Sequence, residues 1–355
     1  MPERQSQSVA ESSTAYQAGR DVVLIQGVSA SEARQIAHDL FRANLMEFKA
    51  EAAEVARQRC EEVTTAFLEK LQTENPEGLN QAREPDFQDA LFSVQKEHAK
   101  AGDKELSDLL VDLLVDRTKE RSRTILQLVL NEALRTAPKL TSAQTATLAV
   151  VFFFRNVRRM NGIPHIAELG AHFQRSMEQA AAGFSNSAST FNHLAFTGCT
   201  TDSLAASSLP DVLSRTYPGL FTIGFEQAAL EQAQLSDAGK AMLIIPCMDD
   251  PTRFQVNALN DEDFDAKCAA VGLSQEEKVR ATALFKSYSM PHDKVQSKMV
   301  EAAPFMSDIF AAWSAADAKH HALGRYQLTS VGMAIGHASI KRYIGEFAPL
   351  DIWIN

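Results

Sequence analysis

The chain has 355 residues, of which 45% are hydrophobic and 23% are charged, and its formal net charge is -10. This length allows roughly two or three domains of about 150 residues each, and it can bury a core without disulfides or metals. Nucleic acids and anionic membranes are polyanions, so the acidic balance argues against broad, non-specific binding to either.

The cysteines and the apolar runs indicate a cytoplasmic setting. The four cysteines lie far apart, without a C-x-x-C pair, and are predicted to be free thiols: Cys60, Cys199, Cys247 and Cys268. Residues 1–14 are polar and lack the apolar region of a signal peptide. The longest apolar run, Leu148–Phe154, has seven residues, whereas a membrane span needs about 20. No membrane span is therefore predicted.

Residues 1–28 are predicted to form a disordered tail followed by one short β-strand at Tyr16–Ile25. A strand with no partner nearby in sequence must pair with a distant one, and another copy of the chain would satisfy its backbone groups. This assembly hypothesis gives a contact role to six residues: Tyr16, Gln17, Gly19, Asp21, Val22 and Leu24.

A very long helix follows this strand. Ser29 and Glu32 form the pattern of a capping box, and neither Gly nor Pro occurs from there to Thr73. At about 1.5 Å per residue the helix would be about 60 Å long, which suits a packed spine or a coiled-coil contact. Its apolar residues recur at steps of three, four or eight along one face: Ile36, Leu40, Phe48, Ala52, Val55, Val63, Phe67 and Leu71.

The next helices complete an all-helical first half. One is predicted from Pro85 to Gly102, and another begins after Asp103. Asp112 and Asp116 are four residues apart in the latter helix, so they share a face, which is predicted to point toward solvent. The remaining helices of this half are predicted at residues 121–136 and 141–160.

The predicted fold is mainly α, with a helical domain at residues 29–160 and a smaller α+β domain at residues 161–355. Asn161–Pro164 marks the break between them. Residues 183–208 are rich in Ser, Thr, Asn and Gly and are predicted to lack regular structure. The other predicted elements are helices at 165–182, 261–272, 274–287 and 304–323, and strands at 242–247 and 254–259.

The end of the chain resembles the closing part of a winged helix. A strand is predicted at Tyr326–Leu328, then a helix capped by Thr329, then a strand at Asp351–Ile354. The same order also ends many α+β domains. Gly332 and Gly336 in this helix are one step of four apart, which favours close approach to a neighbouring element, either within the chain or in another subunit.

Several stretches together resemble one family. They are Tyr16–Asp21, Ser29–Phe48, Glu74–Asp89, Tyr217–Phe225, Leu328–Ile335 and Leu350–Asn355. This set resembles the LPO/Vpar-type family of uncharacterised bacterial proteins over nearly the full chain. The resemblance implies a bacterial, cytoplasmic protein, and it carries no functional residues across because no activity is attached to the family. The Gln17–Val22 element is also similar to edge strands of proteins in bacterial defence systems, where such strands are thought to assemble subunits.

Catalytic motifs are few. The sequence has no nucleophile elbow, P-loop or dinucleotide fingerprint. If the protein is an enzyme, its site is drawn from the second half: His193, Cys199, Asp202 and His321. A histidine lowers the pKa of a thiol and an acid orients the histidine, which is the logic of a nucleophilic site. The alternative is loop residues with a buried thiol, and a solvated helix end that carries Asp317 and His321.

No metal site and no cofactor are predicted. The acidic residues at 249–250 and 261–263 have the density of a cation site, but turns and helix N-termini account for them equally. The sequence favours a non-enzymatic homo-oligomeric scaffold, sensor or adaptor in bacterial antiphage defence, with another protein as a further partner. The alternatives are a hydrolase or nuclease-like effector and, more weakly, DNA binding through the winged-helix-like end.

Overall fold

A computed structural model of the chain describes residues 30–78, 84–120, 122–159, 165–203, 206–314, 319–345 and 347–354. Side chains are described from Lys49 onward. The described residues form fifteen α-helices and two small two-stranded antiparallel sheets, which confirms the mainly α prediction. The predicted N-terminal strand, its six contact residues and the capping box at Ser29 lie outside the described residues.

The elements follow one another along the chain with these bounds. The helices are α1 (Ala30–Glu74), α2 (Pro85–Ala101), α3 (Lys104–Lys119), α4 (Ile125–Thr136), α5 (Ser142–Asn156), α6 (Ile166–Gly183), α7 (Ala188–Phe196), α8 (Leu209–Thr216), α9 (Gln227–Gln232), α10 (Asp237–Leu243), α11 (Asp261–Val271), α12 (Gln275–Lys286), α13 (His292–Ala302), α14 (Met306–Ser314) and α15 (Ser330–Ile344). The strands are β1 (Thr200–Asp202), β2 (Ile244–Pro246), β3 (Phe254–Val256) and β4 (Tyr326–Leu328). None of the described helices combines the length and apolar character needed to cross a bilayer.

The long helix α1 is one continuous element of 45 residues, as its pattern predicts. The chain divides into two compact units, Met1–Ala56 and Arg57–Asn355, so α1 contributes to both. In the second unit Val63, Phe67 and Leu71 are buried, whereas Val55 in the first unit is 43% exposed. Among the stripe residues whose side chains the structure describes, Val63, Phe67 and Leu71 are therefore covered and Val55 is not.

The second unit is built on α5. Eleven consecutive α5 residues, Gln144–Phe154, are buried, and α15 packs along this helix. A side chain at Gly332 would place its Cβ 2.0 Å from the Cys199 carbonyl oxygen, and one at Gly336 would meet the Leu148 carbonyl oxygen at 2.9 Å. The two glycines thus serve internal packing. The main core takes residues from both sides of position 160, and the division into domains there stays a prediction.

A second, smaller core lies within the second half of the chain. It takes buried residues between Phe225 and Phe285, from α9–α12 and the β2–β3 pair. The strands predicted around 242–247 and 254–259 are present as β2 and β3, paired in antiparallel register with Ile244 opposite Val256. Asp249 beside them is bound by Lys294 at 2.6 Å and by Lys298 at 2.9 Å, which fastens α13 to the loop after β2.

Three predictions in the second half were wrong. Residues 183–208 contain regular structure, because Ser187 caps α7 and β1 finds a partner in the distant β4. Residues 350–352 form a 3-10 turn in place of the last strand, and Trp353 packs on Phe152 at 5.1 Å between ring centroids. His321 lies outside any helix, because His320 forms a β-bridge with Ser187.

Candidate functional site

The four predicted catalytic residues surround the β1–β4 pair. His193 lies on α7, Cys199 precedes β1, and Asp202 ends β1. His321 lies shortly before β4, whose first residue is opposite Asp202 in the antiparallel register. The pairing of β1 with β4 therefore brings segments more than 100 residues apart to one region of the second unit.

Three of these residues are held by partners of their own. His193 Nδ1 lies 3.0 Å from the side-chain nitrogen of Gln144, and Asp202 forms an exposed ion pair with Arg325 at 2.9 Å. His321 shares a hydrogen bond with the Tyr326 hydroxyl. No hydrogen bond or ion pair within the described ranges joins any two of the four.

Cys199 has the environment of a structural thiol. It is buried, burial raises the pKa of its thiol, and Thr197 Oγ1 donates to its sulfur at 3.6 Å. A nucleophilic cysteine needs a lowered pKa, because the thiolate is the reactive form. The geometry of this region therefore gives no support to nucleophilic catalysis, and the enzyme hypothesis stays a prediction.

A different group of charged residues is more unusual. Asp112 and Asp116 are 2% and 7% exposed, so the expectation that they point toward solvent was wrong. The four-residue step does put them on one face of α3, but that face is covered by α1 and α15. Lysines from those helices reach both carboxylates, which offsets the cost of burying the charges.

Asp116 is the centre of the group. Lys341 of α15 donates to its two carboxylate oxygens at 3.0 and 3.1 Å, and Lys119 donates at 2.7 Å. Burial by itself raises the pKa of this carboxyl, but the two ammonium groups outweigh it and hold the pKa below its ordinary value. Asp116 is therefore buried in its ionised form.

Asp112 and α1 form the other side of the group. Lys70 of α1 donates to Asp112, and Glu74 lies 3.4 Å from Lys70 and 4.0 Å from Lys341. Burial raises the pKa of Asp112 against the effect of Lys70, whose own pKa is raised by the two carboxylates despite its burial. We call the six residues the charge cluster: Lys70, Glu74, Asp112, Asp116, Lys119 and Lys341.

The charge cluster contains three lysines and three acids, so its formal charges cancel. Removing one partner of a buried pair leaves an uncompensated charge, which typically costs about 3–5 kcal/mol. A buried salt bridge is by itself weak evidence for added stability. Here the cluster fixes the C-terminal part of α1 against α3 and α15, which is its clearest physical role.

Two clefts lie beside these elements. One, of about 650 Å³, is lined by members of the charge cluster together with Arg342 and Tyr343. The larger, of about 860 Å³, borders Arg117, whose Nε donates to Asn131 Oδ1 at 3.1 Å and which also pairs with Asp86. Both walls mix acids and bases, and the described residues contain no group of three or more His, Cys, Asp or Glu arranged to hold a metal ion.

Sequence reasoning missed the charge cluster, although one signal was present. Every residue of α3 from Leu109 to Thr118 is buried, and Asp112 interrupts the apolar run Leu109–Val115 while Asp116 follows it directly. A helix that is apolar all round is buried, so a carboxylate within it needs a cationic partner. The identity of that partner could not be predicted, because Lys341 is 225 residues away from Asp116.

The first compact unit shows the opposite environment. The seven described α1 residues from Lys49 to Val55 are all exposed. They include the apolar Ala52 and Val55, which the sequence places on the stripe that Val63 continues.

Comparisons with known proteins place the chain in a family. No curated protein and no solved structure matches it. A family model described as ":-like" matches residues 27–354. Because this match covers nearly the full length, the chain belongs to that family, in agreement with its resemblance to the LPO/Vpar-type proteins.

Proposed function

We propose that the protein is a non-enzymatic, homo-oligomeric scaffold, sensor or adaptor, and that α1 carries the contact between copies. The observation behind this proposal is the exposure of every described α1 side chain from Lys49 to Val55 in the single chain. Helices gain most of their stability from packing an amphipathic face. Nothing in the described part of the chain covers this face, so a partner is expected to do so.

A second copy is the partner we favour. A self-complementary face needs only its own surface, and two-fold contacts of this kind are the commonest in soluble oligomers. The strand predicted at Tyr16–Ile25 precedes α1 directly and would add a backbone contact to the same assembly. The C-terminal part of α1 is fixed by the charge cluster, which suits a helix that must present a defined face.

The place of this assembly in antiphage defence is part of the proposal. It is supported by the resemblance of the chain to a family of bacterial proteins and by the similarity of Gln17–Val22 to edge strands of defence proteins. A bacterium that carries the gene and one that carries the Val55→Glu variant would be compared for phage plaque formation. Equal plaque numbers in both, and in a strain without the gene, would contradict the defence role.

The assembly is tested by light scattering coupled to size exclusion at micromolar concentration. We expect a defined oligomer for the full chain and a smaller species when residues 1–28 are removed. Val55→Glu puts a charge on the proposed contact and should dissociate the oligomer. Leu68→Glu is the matched control, because Leu68 is 45% exposed on the same helix but belongs to the second unit.

A stable monomer of the full chain would contradict the proposal. Equal dissociation by Val55→Glu and Leu68→Glu would also remove the specific role of the first unit. An oligomer that survives loss of residues 1–28 but not Val55→Glu would assign the contact to α1 alone.

A further inference from the structure

A buried histidine lies where α2 meets α1. His98 is in the last turn of α2 and is only 4% exposed. Its Nδ1 atom is buried and has no hydrogen-bond partner among the described residues. Buried polar atoms normally have such a partner, so this imidazole is held in an environment that suits only its neutral form.

The surrounding contact is tight and charged. Arg59 of α1 crosses the C-terminus of α2 and donates to the carbonyl oxygens of Ala99 at 3.0 Å and Lys100 at 3.4 Å. A Cβ at Gly102, whose φ is +62°, would lie 2.3 Å from Cζ of Arg59. The guanidinium is thus clamped over the end of α2, close to the histidine.

The charged groups that face His98 come from three places. Arg59 and Glu62 lie on α1, Asp103 caps α3, and Asp108 lies within α3. Burial lowers the pKa of His98 and Arg59 acts in the same direction, while the three acids oppose them without reversing the shift. Protonation of the His98 imidazole is therefore unfavourable in the closed contact.

We propose that His98 makes the α1–α2 contact acid-sensitive, so that proton uptake by the imidazole favours local opening of the C-terminal turn of α2 away from α1. Opening hydrates the imidazolium and removes it from the Arg59 guanidinium, while the nearby carboxylates remain available to it. The same movement hydrates the imidazolium and separates it from Arg59, because opening also breaks the hydrogen bonds of Arg59 to the end of α2.

The direction with pH follows from linkage. The pKa of an exposed histidine is about 6.5, and the closed contact holds the pKa of His98 below that value. Above about pH 6.5 His98 is neutral in both states and does not favour opening. As the pH falls below that value, protonation of the open state lowers the free energy that keeps the contact closed. If the closed state stayed neutral throughout, the opening equilibrium would rise about tenfold between pH 7.5 and 5.5.

Hydrogen exchange on the full-length protein tests this inference. After correction for intrinsic exchange rates, peptides from residues 57–68 and 94–102 should open more at pH 5.5 than at pH 7.5, up to the tenfold limit. His98→Gln keeps a polar side chain without the titration and should remove the increase. His172→Gln is the matched control: burial also lowers the pKa of His172, but it lies on α6.

Three results would overturn the inference. One is an unchanged opening equilibrium of these peptides in the natural protein between the two pH values, a measurement that needs no variant. Another is the same pH response in His98→Gln, or in His98→Asn if the glutamine variant does not fold. Loss of the response in His172→Gln as well would assign it to general acid destabilisation and also contradict a local role.

Discussion

The two parts of α1 meet very different surroundings although one apolar pattern runs through both. From Arg57 onward Val63, Phe67 and Leu71 are buried, and Lys70 and Glu74 join the charge cluster. In the first unit the seven residues from Lys49 to Val55 are exposed. A periodic apolar stripe predicts a helix reliably, but it does not say whether the stripe is covered by the same chain or by a partner.

The difference between the exposed and the buried part of α1 is tested most strongly at Phe67. Phe67→Ala removes a buried ring that contacts Phe87 at 5.9 Å between centroids, and we expect it to lower the free energy of unfolding by about 4 kcal/mol. Val55→Ala in a monomeric state should change it by less than about 0.5 kcal/mol. Urea denaturation measures both, and equal losses would mean that the two parts of α1 are equally covered.

The charge cluster gives the next largest effect. Lys341→Met leaves the buried Asp116 carboxylate with Lys119 as its remaining lysine partner and with the His337 ring 4.0 Å away. The expected loss is about 3 kcal/mol in urea denaturation at neutral pH. Lys119→Met is the control, because Lys119 is 40% exposed and solvent replaces part of its interaction. A loss in Lys341→Met no larger than in Lys119→Met would show that burial does not decide the strength of these pairs.

The smallest effect concerns the clamp between α1 and α2. Gly102→Ala places a Cβ against Arg59 in a left-handed backbone conformation, for an expected loss of about 2 kcal/mol. Gly272→Ala has a similar φ of +70° but open space around it, so it should cost only about 1 kcal/mol. Thermal denaturation compares them, and an equal loss in both would remove any steric role of Arg59 at this position.

Local signals predicted much of the helical framework. Asp103 caps α3 through Glu105 and Leu106, Gly102 ends α2, and the break after Glu74 ends α1, all as the residue types indicate. These features depend on neighbours within a few residues, so a sequence carries them directly.

Features that depend on distant partners could not be predicted in the same way. The Asp351–Ile354 segment has the composition of a strand, but no strand of the described residues pairs with it. Trp353 Nε1 instead donates to the α5 carbonyl oxygen of Asn156 at 3.1 Å. The four-residue step between Asp112 and Asp116 places them on one face of α3, but it does not say whether that face is exposed or buried. For the candidate site the decisive partners, Lys70 and Lys341, lie on other helices.

The ion pair between Asp116 and Lys341 also has a consequence for how the chain is made. At translation rates of about 5–20 residues per second, the 225 positions that separate them take about 10–45 s to synthesise. Throughout that interval α3 carries a carboxylate whose main counter-charge does not yet exist. The ion pair that joins α3 to α15 can therefore form only after α15 has been synthesised.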